Sequence, residues 1–333
     1  MRVMRTISLL LILIFFTDTG AKAHDPQFSQ FYSAPLYLGP SMAGSANNGR
    51  LIMNYRDQWP NLSGRFLTYA VSYDQFIESI NSGAGVMIIH DDAGGGKLST
   101  TRAGLNYSYR IKASRNLFIQ PGLQMYYYQR KIDFDNLIFS DQYFGEIILP
   151  GSRETPPDMQ KGHVDFSSSL LVFSDRFWAG VTLDHLMRMN STVSEDLNYL
   201  PLKFSLFGGV KFELYENILS REEQNITLAY NYKKQTDVSQ LDLGAYYFRE
   251  PFRVGAWYRG IPVISESTHN DAFIVFAGLN YNQFSFSYSY DVTVSNLITA
   301  TGGAHEIVLM YTFNTSNIGG LRNRVGAVPC PKF

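Results

Sequence analysis

The chain has 333 residues, with 28 Lys and Arg against 29 Asp and Glu, 22 Tyr, 24 Phe and a single Cys. Only 17% of residues are charged and 15% are aromatic, which excludes an intrinsically disordered chain. A formal charge of -1 gives no basic patch for nucleic acid, and a lone cysteine, Cys330, excludes a disulfide framework or an all-cysteine zinc site.

The chain opens with a targeting pattern. Arg2 and Arg5 precede an apolar core, Ile7 to Phe16, and Ala21-Lys22-Ala23 supplies the small-x-small site of a signal peptidase. A ten-residue core falls well short of the roughly 20 that span a bilayer. Cleavage is therefore expected between Ala23 and His24, leaving 25 basic against 28 acidic residues. No later window reaches the apolar length of a membrane helix.

Residues 24–48 read as neither leader nor strand. They carry Phe28, Phe31, Tyr32, Leu36, Tyr37 and Leu38 among small residues and prolines. Such a stretch is poorly solvated, so it is expected to fold into the periplasmic mouth of a barrel as a plug, or to dock on a partner.

From residue 49 to 314 the chain alternates with period 2. In Phe284-Ser285-Phe286-Ser287-Tyr288-Ser289-Tyr290 one face is aromatic and the other is serine. Ala103, Leu105, Tyr107 and Tyr109 alternate in the same way with Arg102, Gly104, Asn106, Ser108 and Arg110. Two faces so different separate an apolar medium from a polar one. Turn signals divide the region into about fourteen strands. They are expected near 49–57, 64–75, 82–91, 98–111, 115–131, 162–174, 177–187, 201–214, 224–233, 238–248, 252–259, 271–280, 283–291 and 304–314. Most exceed the usual soluble strand of about 5–6 residues and suit a tilted membrane crossing.

The connections also alternate in length. Phe76–Asn81, Lys112–Ser114, Asp175–Arg176, Arg249–Pro251 and Tyr281–Asn282 are short. The alternate set, 132–161, 188–200, 260–270 and 292–303, is long, and Tyr215–Glu223 is the one long member of the short side. An outer-membrane antiparallel β-barrel with short periplasmic turns gives this pattern. Tyr126-Tyr127-Tyr128, Tyr246-Tyr247 and Trp257-Tyr258 lie near strand ends, where amphipathic rings settle at the headgroups.

A search for chemistry is sparse. The six histidines form no H-E-x-x-H pattern, and no G-x-S-x-G elbow occurs. Asp91 to Lys97 lacks the spacing of a phosphate loop and reads as a Gly-rich hairpin tip. Ser167, Ser168 and Ser169 near His163 carry the residue types of a barrel acyl hydrolase without its motif. No cofactor or metal site and no enzymatic activity is expected.

The block His24-Asp25-Pro26-Gln27-Phe28-Ser29-Gln30-Phe31-Tyr32, followed by Pro35 and Leu36, resembles the start of the PorP/SprF family of the type IX secretion and gliding-motility apparatus. The ending Pro329-Cys330-Pro331-Lys332-Phe333 is similar to that family's C-terminus. Gly39-Pro40-Ser41 stands where the family has an Asn-Pro-Ala turn, so the Asn side chain has no counterpart here. The resemblance implies four segments: a signal peptide (1–23), a periplasmic or plug segment (24–48), a barrel (49–314) and a periplasmic tail (315–333). It further implies an outer-membrane, non-enzymatic component. Its implied partners are lipids, the periplasmic ring and lipoproteins, and the C-terminal domain of a large secreted or surface protein. Asp25, Pro26, Gln27, Phe28, Gln30, Phe31, Tyr32, Pro35 and Leu36, with Pro329, Cys330, Pro331 and Phe333, are the candidate contact residues. A passive channel or hydrophobic-solute transporter is the alternative that fourteen strands also permit.

Overall fold

A computed structural model describes residues 25–95, 98–133, 140–144, 147–148, 160–187, 200–217, 222–236, 238–261, 272–294, 301–313 and 328–329. The expected leader with Ala23 and His24, most of the 132–161 connection, and Cys330, Pro331 and Phe333 lie outside the described residues.

Fourteen long antiparallel strands form one ring. In chain order they are β1 (Gly49–Gln58), β2 (Phe66–Ile77), β3 (Ser82–Ala93), β4 (Leu98–Tyr109), β5 (Phe118–Ile132), β6 (Gln160–Phe173) and β7 (Phe177–Asp184). The second half is β8 (Lys203–Asn217), β9 (Glu222–Gln235), β10 (Val238–Arg249), β11 (Phe252–Ile261), β12 (Ala272–Tyr281), β13 (Phe284–Thr293) and β14 (Ala304–Phe313). Each strand pairs with its sequence neighbours, and β1 closes the ring on β14, with Gly49 opposite Phe313 and Gln58 opposite Ala304. Closure leaves no edge whose backbone groups would be unpaired in lipid.

The alternation sets the two faces. Ser285, Ser287 and Ser289 are buried inside, whereas Phe284, Phe286 and Tyr288 are exposed on the outer wall. Arg102, Asn106 and Ser108 point inwards, and Leu105, Tyr107 and Tyr109 point out. A period of 2 also corrects the reading of the consecutive aromatics. Tyr126, Tyr128, Tyr246 and Trp257 are luminal and buried, and only their neighbours Tyr127, Tyr247 and Tyr258 face outward. Adjacent residues of a strand cannot share a face.

The short connections gather at one end of the ring. Two of them turn through left-handed asparagines, Asn81 (φ 51) and Asn282 (φ 54). The expected exception at 215–223 shrinks, because β8 and β9 run further than the alternation suggested and leave only 218–221 between them. A register shift between Glu213 and Tyr215 accommodates the extension. The opposite end holds the long connections, although 94–97 and 236–237 on that side are short. In the first of these, Gly94 (φ 67) and Gly95 (φ 72) supply the hairpin tip.

The luminal wall is built by pairing large rings with glycines. Trp178 faces Gly209 and Phe207 faces Gly180 between β7 and β8. Trp257 faces Gly244, and Phe276 faces Gly255, on the next strands round. Each ring lies where the partner's Cβ would otherwise stand, so it covers its cross-strand glycine and stays close to the wall. What remains at the centre is a space lined by rings on one side and by polar side chains on the other.

Candidate functional site: the luminal segment and its anchors

Residues 25–48 occupy that space. Three short turns carry the chain: a 3-10 turn at Phe31–Ser33, one α-turn at Pro35–Leu38 and a second 3-10 turn at Pro40–Met42. Pro35 and Pro40 open their turns, where the missing N–H costs nothing. Phe28, Phe31, Tyr32, Leu36, Leu38 and Met42 are each at most 8% exposed. Phe31 packs edge-on to Trp257 with centroids 4.8 Å apart, and Tyr32 meets Tyr246 at 4.6 Å. Rings so placed add attraction beyond simple burial.

Three polar anchors fix the segment along the barrel axis. At the end of the short turns, Asp74 accepts from Arg50 Nε at 2.6 Å and from the Gly44 amide at 2.7 Å. Arg110 donates to the Gly44 carbonyl, and Gln120 donates to the carbonyls of Ser41 and Ala43 at 2.9 and 2.8 Å. Farther along, Glu306 receives the backbone amides of Ser29 (2.6 Å) and Gln30 (3.2 Å) on its two oxygens. Arg259 bridges Asp291 (2.9 Å) and the Phe28 carbonyl (3.3 Å), and Arg56 reaches Asp291 and the Ser29 hydroxyl. These groups give the irregular backbone the partners it lacks within itself.

The third anchor stands at the long-connection end. Asp25 accepts from Lys203 Nζ at 2.8 Å and from His185 Nε2 at 3.0 Å. His185, one residue beyond β7, is tied on its other nitrogen to Asp165 at 3.0 Å, and Lys203 also meets Asp184 at 3.2 Å. Burial alone would raise the Asp25 carboxyl, but Lys203 and His185 overcome it and hold Asp25 well below the usual carboxylate range. Burial opposes the charge on His185, yet Asp25 and Asp165 push its pKa up to about 9. Tyr37, which donates to the Pro26 carbonyl at 2.6 Å, completes the turn beside Asp25.

The structure thus brings the expected residues of the N-terminal block together in one lumen. Gln27 bonds Gln240, Gln30 accepts from Ser287, and Leu36 sits over Gly85. Near the other terminus, the Val328 amide donates to the Ser45 carbonyl at 3.1 Å, which sets Pro329 beside the segment. At Gly39 the backbone is extended (φ 175), a conformation any residue adopts. Glycine is suited there because a Cβ would strike the Thr182 hydroxyl, which already donates to the Leu38 carbonyl at 2.9 Å. Space, rather than turn conformation, separates this site from an Asn-Pro-Ala turn. The three serines are not gathered on His163: Ser167 donates to Asp184 and Ser169 accepts the Ser41 amide. Arg50, Asp74, His185, Lys203, Arg259 and Glu306 were not singled out from sequence. Their one signal is a titratable side chain on the inward face of an alternating strand or, for His185, one residue past its end.

Comparison with known proteins adds the following. Residues 20–311 match the family described as type IX secretion system membrane protein PorP/SprF. No curated protein matches the chain. Among solved structures, the Ralstonia pickettii toluene transporter TbuX is similar at a TM-score of 0.49 and 9% identity, covering 84% of this chain and 93% of its own. A triple mutant of the Rhodopseudomonas blastica porin aligns at a TM-score of 0.36 and 10% identity, with coverages of 80% and 99%.

Proposed function

We propose a role that proceeds from one premise: this chain belongs to the PorP/SprF family of type IX secretion system membrane proteins. It acts without catalysis, as an outer-membrane anchor that holds a large exported protein by its C-terminal domain and helps it reach the cell surface. The short turns face the periplasm, where the ring and lipoprotein components of the machine work, and the long connections face outward.

The observation that carries this reading is the occupied lumen. Residues 25–48 fill the barrel and are bonded to its wall at both ends and the middle. A lumen so filled favours a docking platform over the passive channel or solute transporter. The N-terminal block serves as the plug, and the Val328–Ser45 contact joins the C-terminal tail to it on the periplasmic side. Docking there would present Pro329 and the residues beyond it to the periplasmic partners.

Purification of a tagged copy from the outer membrane in mild detergent, followed by mass spectrometry, tests the role. One very large exported protein travelling with periplasmic lipoproteins is the expected result. Recovery of the barrel alone, even after cross-linking, would overturn it.

A further inference from the structure

At the long-connection end, a small recess opens beside the start of the luminal segment. Asp25, Gln27, Tyr37, Lys203, Lys233 and Gln240 line it. Lys233 lies on the inward face of β9, half-buried, two residues before the strand ends. Among the described residues it makes no hydrogen bond and no ion pair.

Among the described residues, the surrounding carboxylates are already engaged. Asp25 is shared by Lys203 and His185, and Asp184 is held by Lys203 and Arg102. Asp242 accepts from Gln240 at 2.7 Å and stands opposite Arg259 across β10 and β11. Asp242 attracts the partly desolvated Lys233 ammonium without forming an ion pair with it, so the charge is under-compensated and an incoming anion would relieve it. Gln27, Gln235 and Gln240 also line the space; each amide nitrogen already donates one N–H, to Gln240, Pro201 and Asp242 respectively, and keeps its second.

We infer that this recess binds a carboxylate of a peptide segment, with Lys233 as its ion-pair partner. A single compact ammonium suits one charge, whereas a doubly charged phosphate would be repelled by Asp25 and Asp242 and would favour the fork of an arginine. The recess sits at the barrel mouth beside Pro26 and Gln27, so a peptide end or an acidic side chain can enter it. The assignment to a peptide rests on the client-holding reading; the preference for a carboxylate does not.

The test uses the purified full chain in detergent and a fluorescein-labelled Gly-Ser hexapeptide ending in Glu. Its counterpart ends in glutamine amide and carries no carboxylate. Fluorescence polarisation is expected to show about tenfold tighter binding of the acid, equivalent to about 1.4 kcal/mol. Lys233→Gln should erase that preference. Lys234→Gln, which removes the same charge from the exposed outer face next door, should keep it. Equal binding of acid and amide by the unmodified chain would overturn the inference, whether or not the variant folds. So would a preference that survives Lys233→Gln or disappears with Lys234→Gln. Because no client is present, failure here is distinct from failure of the co-purification, and an acid preference without any co-purified protein would indicate a free organic acid as ligand.

Discussion

Valine in place of Gly83 or Gly122 is expected to drive residues 40–44 away from the wall. A Cβ at Gly83 would overlap the carbonyl of Ala43, and one at Gly122 would overlap the backbone of Ser41. The obstacle in both cases is main chain, which cannot rotate aside as a side chain would. Displacement would break the bonds that Ser108 and Gln120 make to the Ala43 carbonyl at 2.8 Å each. At about 0.5–1.5 kcal/mol per bond, losing both costs about 2 kcal/mol and raises the released population roughly thirtyfold. Chymotrypsin reads this out, because Phe28, Phe31, Tyr32 and Tyr37 are sites that the lumen now shields. Faster cleavage in this segment, with the barrel intact, is the expected result; unchanged cleavage would contradict the placement of residues 40–44.

The second large effect is on pH. The Asp25 carboxyl is depressed in the folded chain, so its contribution is present above the ordinary carboxylate pKa of about 4 and is lost as pH falls through the lower folded value. His185 is raised from 6.5 to about 9, so its contribution is complete below 6.5 and is lost as pH climbs through 9. The anchor therefore holds firmest at about pH 5–6 and loosens on the alkaline side by about 3 kcal/mol in total. Protection of a tag placed before Asp25 should decline between pH 7 and 9 and be complete at pH 5–6. His185→Gln should flatten the alkaline decline while leaving the acid one. Asp25→Asn should free the tag at all pH values and spare the barrel, because His185 keeps Asp165 and Lys203 keeps Asp184. A pH profile that His185→Gln does not alter would contradict the anchor.

Much of the barrel is legible from alternation alone, because lipid on one side and a polar lumen on the other write opposite chemistries on adjacent residues. Strands such as Phe284–Thr293 show this fully, and their bounds lie within two residues of the expected ones. Alternation is less informative where the lumen itself is apolar. Tyr126, Tyr246 and Trp257 look like girdle residues by composition, yet they face a ring-lined interior that exists only because glycines on neighbouring strands make room. The facing ends of β8 and β9 extend past the expected bounds for a related reason, since charged residues such as Glu216 and Glu222 read as turn although their backbones stay paired.

The candidate site divides along similar lines. Phe28, Phe31 and Tyr32 announce a buried segment by their apolarity, and all three are buried. Their partners come from far away in the chain: Glu306 meets Ser29 across 277 residues, and Lys203 meets Asp25 across 178. Such pairs depend on the register of a closed ring, which no local pattern encodes. An inward charge on a strand can be recognised, but the residue it serves cannot.

The chain closes its own lumen with residues 25–48. Single-channel recording in planar bilayers tests it most directly, with the full chain and a deletion of residues 25–47 measured side by side. Silence is expected from the full chain and stepwise openings from the deletion. Equal conductance from both would contradict it and restore the passive channel.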